Sequence, residues 1–146
     1  TMFSRKVGVA AACHALLPSC KDGSCPLESC TNKYSFVECV IPEMLQRFQK
    51  LGVGPDDIEI KMFGGADMIM VRNGSDAWDN QRVGRKNILM AREMAKYYNL
   101  KLNNADVGGT LGRKIHFDTE SGEVWLKRLS RLIPIEGMGS NNKKIT

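Results

Sequence analysis

The sequence has no apolar run close to the roughly 20 residues that a membrane-spanning helix requires, so we expect no membrane insertion. It also has no long block of basic residues, although 21 Lys and Arg against 16 Asp and Glu give a net charge of +5. Scattered basic residues without interleaved aromatics predict no nucleic-acid partner and leave attraction to an acidic protein surface open. Apolar residues make up 42% of the 146 and charged residues 25%, which excludes a disordered chain, a collagen-like fibre and a coiled coil.

A secretory signal peptide is also missing, and the five cysteines are an odd number that cannot pair completely within one chain. Both features predict free thiols in a reducing cytoplasm. Cys20, Cys25 and Cys30 have the spacing C-x4-C-x4-C, at the edge of what zinc ligands use. We interpret them as free or redox-active loop thiols and expect neither a metal nor a cofactor, with a metal-binding or redox-sensing domain as the less favoured alternative. Cys39 falls in a predicted helix, where a small buried thiol packs well.

The order of predicted elements is strand, helix, strand, helix, strand and hairpin, which predicts an α/β domain with a mixed sheet and two main helices. The apolar run over 7–17 predicts a buried central strand. Helical periodicity covers 34–51, with Pro42 expected to kink this helix or to mark its first turn, and 84–98. Further strands are predicted over 58–63 and 100–105, and a hairpin over 115–129. We expect a single domain over 1–135 and a polar tail over 136–146.

Few residues offer chemistry. His14 lies in the predicted apolar strand, where a buried structural histidine is the ordinary interpretation and a catalytic base is the alternative. In a regular strand its neighbour Cys13 would point to the opposite face, so the two would not form a dyad. His116 is expected at the surface. Glycine turns over 63–66 and 108–113 are not P-loops; they predict either tight turns or backbone N–H groups directed at an oxyanion. Asp106, just before the second turn, reads as a solvated loop residue or a turn cap.

Five short motifs occur in a fixed order along the chain. They are His-Ala-Leu-Leu-Pro at 14–18, Lys-Met-Phe-Gly-Gly-Ala-Asp-Met at 61–68, Val-Gly-Arg-Lys-Asn at 83–87, Asp-Val-Gly-Gly-Thr-Leu-Gly-Arg at 106–113, and Phe117 with Ser121-Gly122. In these motifs the chain resembles the CheD family, the chemoreceptor glutamine deamidases of bacterial and archaeal chemotaxis. The resemblance spans 14 to about 129.

The resemblance implies a layered cysteine-hydrolase sandwich and hydrolysis of receptor glutamine side chains to glutamate, with release of ammonia. A thiolate would attack the carboxamide, and His14 would be the general base. The implied partners are methyl-accepting chemoreceptors, as substrates, and the CheC phosphatase. The implied location is the cytoplasm, and no cofactor is implied.

The chain departs from the family at the nucleophile. In the family this cysteine lies in a Gly-Ser-Cys turn upstream of the histidine, and a threonine still further upstream completes the triad. Projected from His14, the cysteine falls just before Thr1, whereas Gly23-Ser24-Cys25 follows the histidine and is a coincidental match. Only His14 can therefore be carried over. We expect that the sequence lacks the N-terminal strand and nucleophile turn of an active deamidase. The alternative is a non-catalytic module that binds chemoreceptors or CheC.

Overall fold

The computed structural model describes residues 1–20, 32–67 and 83–129. Within these residues the chain forms two α-helices and six strands, besides short 3-10 turns at Lys33–Ser35 and Pro55–Asp57. The elements in chain order are β1 (Met2–Ser4), β2 (Val9–Ala11), α1 (Val37–Lys50), β3 (Glu59–Gly64), α2 (Val83–Tyr97), β4 (Leu102–Val107), β5 (Arg113–Phe117) and β6 (Val124–Arg128). No helix formed by these residues is long and apolar enough to cross a membrane.

The first four strands form one sheet in the order β2-β1-β3-β4. β1 is antiparallel to both of its neighbours, whereas β3 and β4 are parallel and are connected through α2. β5 and β6 form a separate antiparallel hairpin. The structure thus confirms the predicted α/β class with a mixed sheet and two helices.

One face of the sheet carries the core. The registers align Ala11, Met2, Ile60 and Leu102 in a row across the four strands, and all four belong to the core cluster or pack against it. The α1 helix places an apolar stripe against this row because residues four apart share one face of a helix. Phe48, the last residue of that stripe, is only 1% exposed.

The hairpin connection covers the opposite face. Phe3 points away from Met2 because successive side chains of a strand alternate, yet Phe3 is also buried. Its ring lies against Gly122, where an added side chain would overlap it. Lys61 Nζ donates a hydrogen bond of 2.6 Å to the Gly122 carbonyl. The described residues therefore form three layers: helices, sheet and hairpin.

The predicted central strand over 7–17 is wrong. Only Val9–Ala11 pairs as a strand, it is half-buried, and it lies at the edge of the sheet. The apolar run predicts burial on both faces, but β1 offers only three residues to pair with, from Ser4 to Met2. Beyond Ala11 the chain leaves the sheet, and residues 12–14 are exposed.

Two further predictions need correction. Pro42 lies inside α1 and so does not mark its first turn, whereas the alternative expectation, a kink at Pro42, stays a prediction. The helix begins at Val37, before Pro42 but later than the predicted start at Tyr34, and the N–H groups of Val37 and Glu38 donate to the carbonyls of Leu17 and Pro18. β4 begins at Leu102, two residues after its predicted start. The predicted polar tail, 136–146, lies outside the described residues.

α2 packs against the chain that follows β3 at a contact between two glycines. An added Cβ at Gly84 would lie 2.7 Å from the Gly65 carbonyl oxygen, and one at Gly65 would lie 2.8 Å from the Gly84 carbonyl oxygen. Both distances are too short for real side-chain carbon atoms. Glycine at both positions therefore sets how closely the start of α2 approaches the turn.

We predict that Gly84→Ala lowers the free energy of unfolding by about 1–3 kcal/mol, the usual cost of overpacking, despite the better helix propensity of alanine. The matched control is Gly54→Ala, because Gly54 has open space around its Cα and an ordinary φ of −84°. The control should be neutral or more stable by up to about 1 kcal/mol. Urea unfolding measures both, and equal effects of the two substitutions would contradict the close contact.

Candidate functional site

Two glycine turns meet at one edge of the sheet. Because β3 and β4 are parallel, their carboxyl ends lie side by side, with Gly64 and Gly65 at the end of β3 and Gly108 and Gly109 after β4. All four have positive φ, between 63° and 115°, which confirms the predicted tight turns. The Gly108 N–H donates to the Gly64 carbonyl at 2.8 Å, and the Asp67 N–H donates to the Gly109 carbonyl at 2.9 Å.

The segment that follows His14 is held between the two helices. The N–H groups of Leu16 and Leu17 donate to the Ser35 carbonyl at 2.9 and 3.0 Å, just before α1. From the other side, Asn87 Nδ2 of α2 donates to the Leu16 carbonyl at 3.1 Å. These bonds fix the backbone next to His14, although His14 itself is exposed.

A cavity of about 230 Å³ is lined by residues of the first glycine turn, of α2 and of the segment around His14. Its lining includes His14, Cys13, Thr1, both glycines of the first turn and Asn87, together with mainly apolar side chains of α1, α2 and the sheet. His14 is therefore not the buried structural histidine that the apolar run favours. It lines a cavity whose wall also includes Gly64 and Gly65, and there an imidazole can exchange protons with a bound molecule.

The geometric argument that separated Cys13 from His14 does not hold. It assumed a regular strand, but β2 ends at Ala11 and both side chains line the same cavity. Cys13 is exposed by its accessible surface, yet the protein atoms crowded around it desolvate the thiol and raise its pKa, while the nearby N-terminal ammonium has the smaller, opposite effect. A raised pKa reduces the thiolate fraction, whereas an activated nucleophilic cysteine has a lowered pKa. The surroundings of Cys13 therefore do not activate its thiol.

Asp106 and Arg113 clamp the second glycine turn. Arg113 Nε donates to Asp106 Oδ1 at 2.7 Å, and the same guanidinium donates to the Gly108 and Leu111 carbonyls. Arg128 adds a bond of 2.7 Å to Asp106 Oδ2. The hydrogen bonds from Arg113 and Arg128 hold the pKa of the Asp106 carboxyl below its ordinary value. The sequence-based interpretation of Asp106 as a solvated loop residue or turn cap missed this clamp. The one signal of it in the sequence is the pair of opposite charges, Asp106 and Arg113, on either side of the turn.

Asn87 is the other residue that the sequence-based search for chemistry missed. Its Oδ1 is buried and finds no hydrogen-bond partner among the described residues. A buried acceptor left unpaired costs about 1–3 kcal/mol. The only sequence signal is its place at the end of the motif over 83–87.

The cysteine pattern is only partly visible, because Cys25 and Cys30 lie outside the described residues. Cys20 is half-buried, and Cys39 is buried in α1 as predicted. Within 1–20, 32–67 and 83–129, no three His, Cys, Asp or Glu residues come together as metal ligands could. The interpretation of the Cys20, Cys25 and Cys30 thiols stays a prediction. His116 is exposed in the hairpin, as expected.

The fold and the site define an α/β protein with a histidine-bearing cavity at the ends of two parallel strands. Comparison with known families assigns it more closely. The family model described as "CheD chemotactic sensory transduction" matches residues 16–128. The chain belongs to the CheD family.

Individual relatives agree with this assignment. A Geobacter sulfurreducens protein named "Probable chemoreceptor glutamine deamidase CheD 2" is 41% identical over 90% of this chain and 74% of its own length. Relatives named "Probable chemoreceptor glutamine deamidase CheD" are 36% identical in Oleidesulfovibrio alaskensis and 32% identical in Thermococcus kodakarensis. These matches cover 89% and 94% of this chain, and 60% and 81% of the relatives. The chain thus spans about three fifths of the Oleidesulfovibrio protein.

We predict that Asp106→Asn destabilises the protein at neutral pH, because it removes the charge that Arg113 and Arg128 bind. A lowered folded-state pKa contributes stability above the ordinary aspartate pKa of about 3.9, and this contribution is lost as the pH falls through the folded-state value. The difference between wild type and variant should therefore shrink in acid. Urea unfolding across this range measures it, with the exposed Asp56→Asn as control. A difference that does not depend on pH would contradict the clamp.

Proposed function

We propose that the full-length protein is a chemoreceptor glutamine deamidase that converts glutamine side chains to glutamate and releases ammonia. The observation that carries the proposal is that His14 lines the same cavity as the Gly64-Gly65 turn. Membership of the CheD family and the names of the relatives support the substrate class.

The proposed reaction is of the Cys–His type. A thiolate attacks the carboxamide carbon, a C–S bond forms, and the carbonyl oxygen becomes an oxyanion. His14, which took the thiol proton, returns it to the nitrogen as the C–N bond breaks and ammonia leaves. Water then attacks the thioester, His14 accepts its proton, and the C–S bond breaks to give glutamate and the free thiol. Backbone N–H donors to the oxyanion contribute roughly 2.7–4 kcal/mol each in such sites.

The nucleophile of this reaction is, in the proposal, a cysteine that precedes Thr1 in the full-length protein, with a threonine upstream of it. The direction of β1 supports this placement. The Thr1 amine donates to the Lys61 carbonyl at 2.8 Å, and the Lys61 N–H donates to the Thr1 carbonyl at 3.0 Å. Continued in this antiparallel pairing, residues before Thr1 run along β3 toward Gly64. His14 lines the cavity whose wall also includes Thr1, Lys61 and Gly64.

The proposed partners follow the same reasoning. Chemoreceptors supply the substrate glutamines on their cytoplasmic helices, so we place the protein in the cytoplasm. The CheC phosphatase is proposed as a second partner, as the resemblance to the CheD family implies. A chain without catalysis would still serve as a binding module for either partner, and the activity of the full-length protein distinguishes this alternative.

We predict that His14→Ala lowers the rate of ammonia release from receptor cytoplasmic fragments by about 10²- to 10⁴-fold, the usual contribution of a general base. The measurement uses full-length protein and a coupled ammonia assay. His116→Ala is the matched control, because it removes an exposed imidazole of the hairpin that does not line the cavity. Undiminished release by His14→Ala would overturn the role of His14. No release by the wild type would favour the binding module.

A further inference from the structure

The exposed side of α2 carries a row of residues with a regular spacing. Its members lie four, three and four positions apart, so each is a neighbour of the next on the helix surface. At a rise of 1.5 Å per residue, the row is about 16 Å long. We call it the α2 row, and it consists of Arg85, Leu89, Arg92 and Lys96, all of which are exposed.

The α2 row lies directly beside the residues of α2 that line the cavity. Ile88 and Ala95 belong to the cavity lining. Ile88 is four positions before Arg92, and Ala95 is three positions after it, so both are surface neighbours of Arg92 on the helix. A molecule that contacts the α2 row is therefore held next to the helix face that lines the candidate site.

The positive charge of this helix is not neutralised by the rest of the described structure. α2 has four basic residues against one acidic residue, Glu93. Within 1–20, 32–67 and 83–129, no ion pair involves Lys86, Arg92 or Lys96. The accumulated cations are available to an external partner.

These cations also lower the stability of the helix that carries them. Arg92 and Lys96 are four positions apart, a spacing at which like charges destabilise a helix. Arg85 and Lys86 lie in the first turn, which holds no acidic residue, and cations at this end oppose the helix dipole. Because the arrangement costs stability, it favours a role in binding over a role in folding.

Apolar side chains lie among the cations. Leu89, inside the α2 row, is 50% exposed, and Tyr97, at the last position of α2, is 76% exposed. A purely electrostatic ligand gains little from an exposed leucine. An apolar contact surrounded by charge pairs is instead typical of an interface between proteins.

We propose that the α2 row docks an acidic α-helix of the chemoreceptor substrate, with carboxylates against Arg92 and Lys96 and an apolar side chain against Leu89. This inference rests on the proposed deamidase function and adds a docking surface to it. The substrate glutamines of that proposal lie on helices, and each conversion of glutamine to glutamate adds one negative charge to them. The partner thus has the shape and the charge that complement the α2 row.

The test compares two double substitutions with the same change of net charge, both in the full-length protein. Arg92→Glu with Lys96→Glu reverses two charges of the α2 row. The matched control is Lys114→Glu with Lys127→Glu, because these two lysines are exposed, lie opposite each other in the hairpin and do not line the cavity. Leu89→Ala removes the apolar contact without changing the charge.

The measurement is affinity for a receptor cytoplasmic fragment, by titration calorimetry at low and at high ionic strength. The charge reversal in the α2 row should weaken binding by about tenfold at low salt, because two attractive contacts become repulsive, and by less at high salt. Leu89→Ala should weaken binding by about two- to fivefold at both salt concentrations. The hairpin control should stay within about twofold of the wild type.

Circular dichroism confirms that each variant is folded. If the charge reversal in the α2 row does not fold, Arg92→Gln with Lys96→Gln replaces it and should give a smaller loss of affinity, since it removes the attraction without adding repulsion. In turnover of the receptor fragment, the loss should appear in KM more than in kcat, because the α2 row binds the receptor outside the cavity.

Unchanged affinity after charge reversal in the α2 row, or an equal loss in the hairpin control, overturns the docking surface. Retained receptor binding together with lost binding to phosphatidylserine vesicles also overturns it, in favour of a membrane surface. A wild type that binds the receptor fragment through the α2 row but releases no ammonia supports the docking surface and contradicts the deamidase function.

Discussion

The parallel pairing of β3 with β4 is the constraint on which the candidate site depends. It brings Gly64 and Gly108, which are 44 residues apart, into a direct backbone hydrogen bond. The same pairing requires a crossover connection, and α2 provides it, packing its Gly84 against Gly65. The Asp106–Arg113 clamp then fixes the second turn from outside the cavity. Each contact positions backbone rather than side chains, which explains the abundance of glycine at this edge.

The segment that carries His14 comes from a different part of the chain. It leaves the sheet after Ala11 and is held by α1 through Ser35 and by α2 through Asn87. The position of His14 therefore depends on both helices, and the contact between Gly65 and Gly84 sets how closely α2 approaches. A substitution at the glycine turns should change the position of His14 through α2, even without contacting the imidazole.

Local periodicity predicted the elements well, because α1, α2, β3 and the hairpin each bury one face against the rest of the protein. It failed where burial depends on neighbours. The run over 7–17 is rich in alanine, which fits a buried central strand as well as a half-buried edge strand. Only the short length of β1 makes β2 a half-buried edge strand. His14 was found through the family motif. Asn87 bonds to Leu16, 71 positions away, and Arg128 bonds to Asp106, 22 positions away. No local sequence pattern predicts contacts over such separations.

The central proposal is that His14 activates a cysteine located before Thr1 in the full-length protein. The most direct measurement is the pH dependence of iodoacetamide alkylation in the full-length protein, with each modified cysteine identified by peptide mass spectrometry. The account predicts that a cysteine upstream of Thr1 reacts fastest, with an apparent pKa below the ordinary value of about 8.5, and that His14→Ala raises this pKa. A full-length protein without such a cysteine, or one whose reactivity is unchanged by His14→Ala, would contradict it.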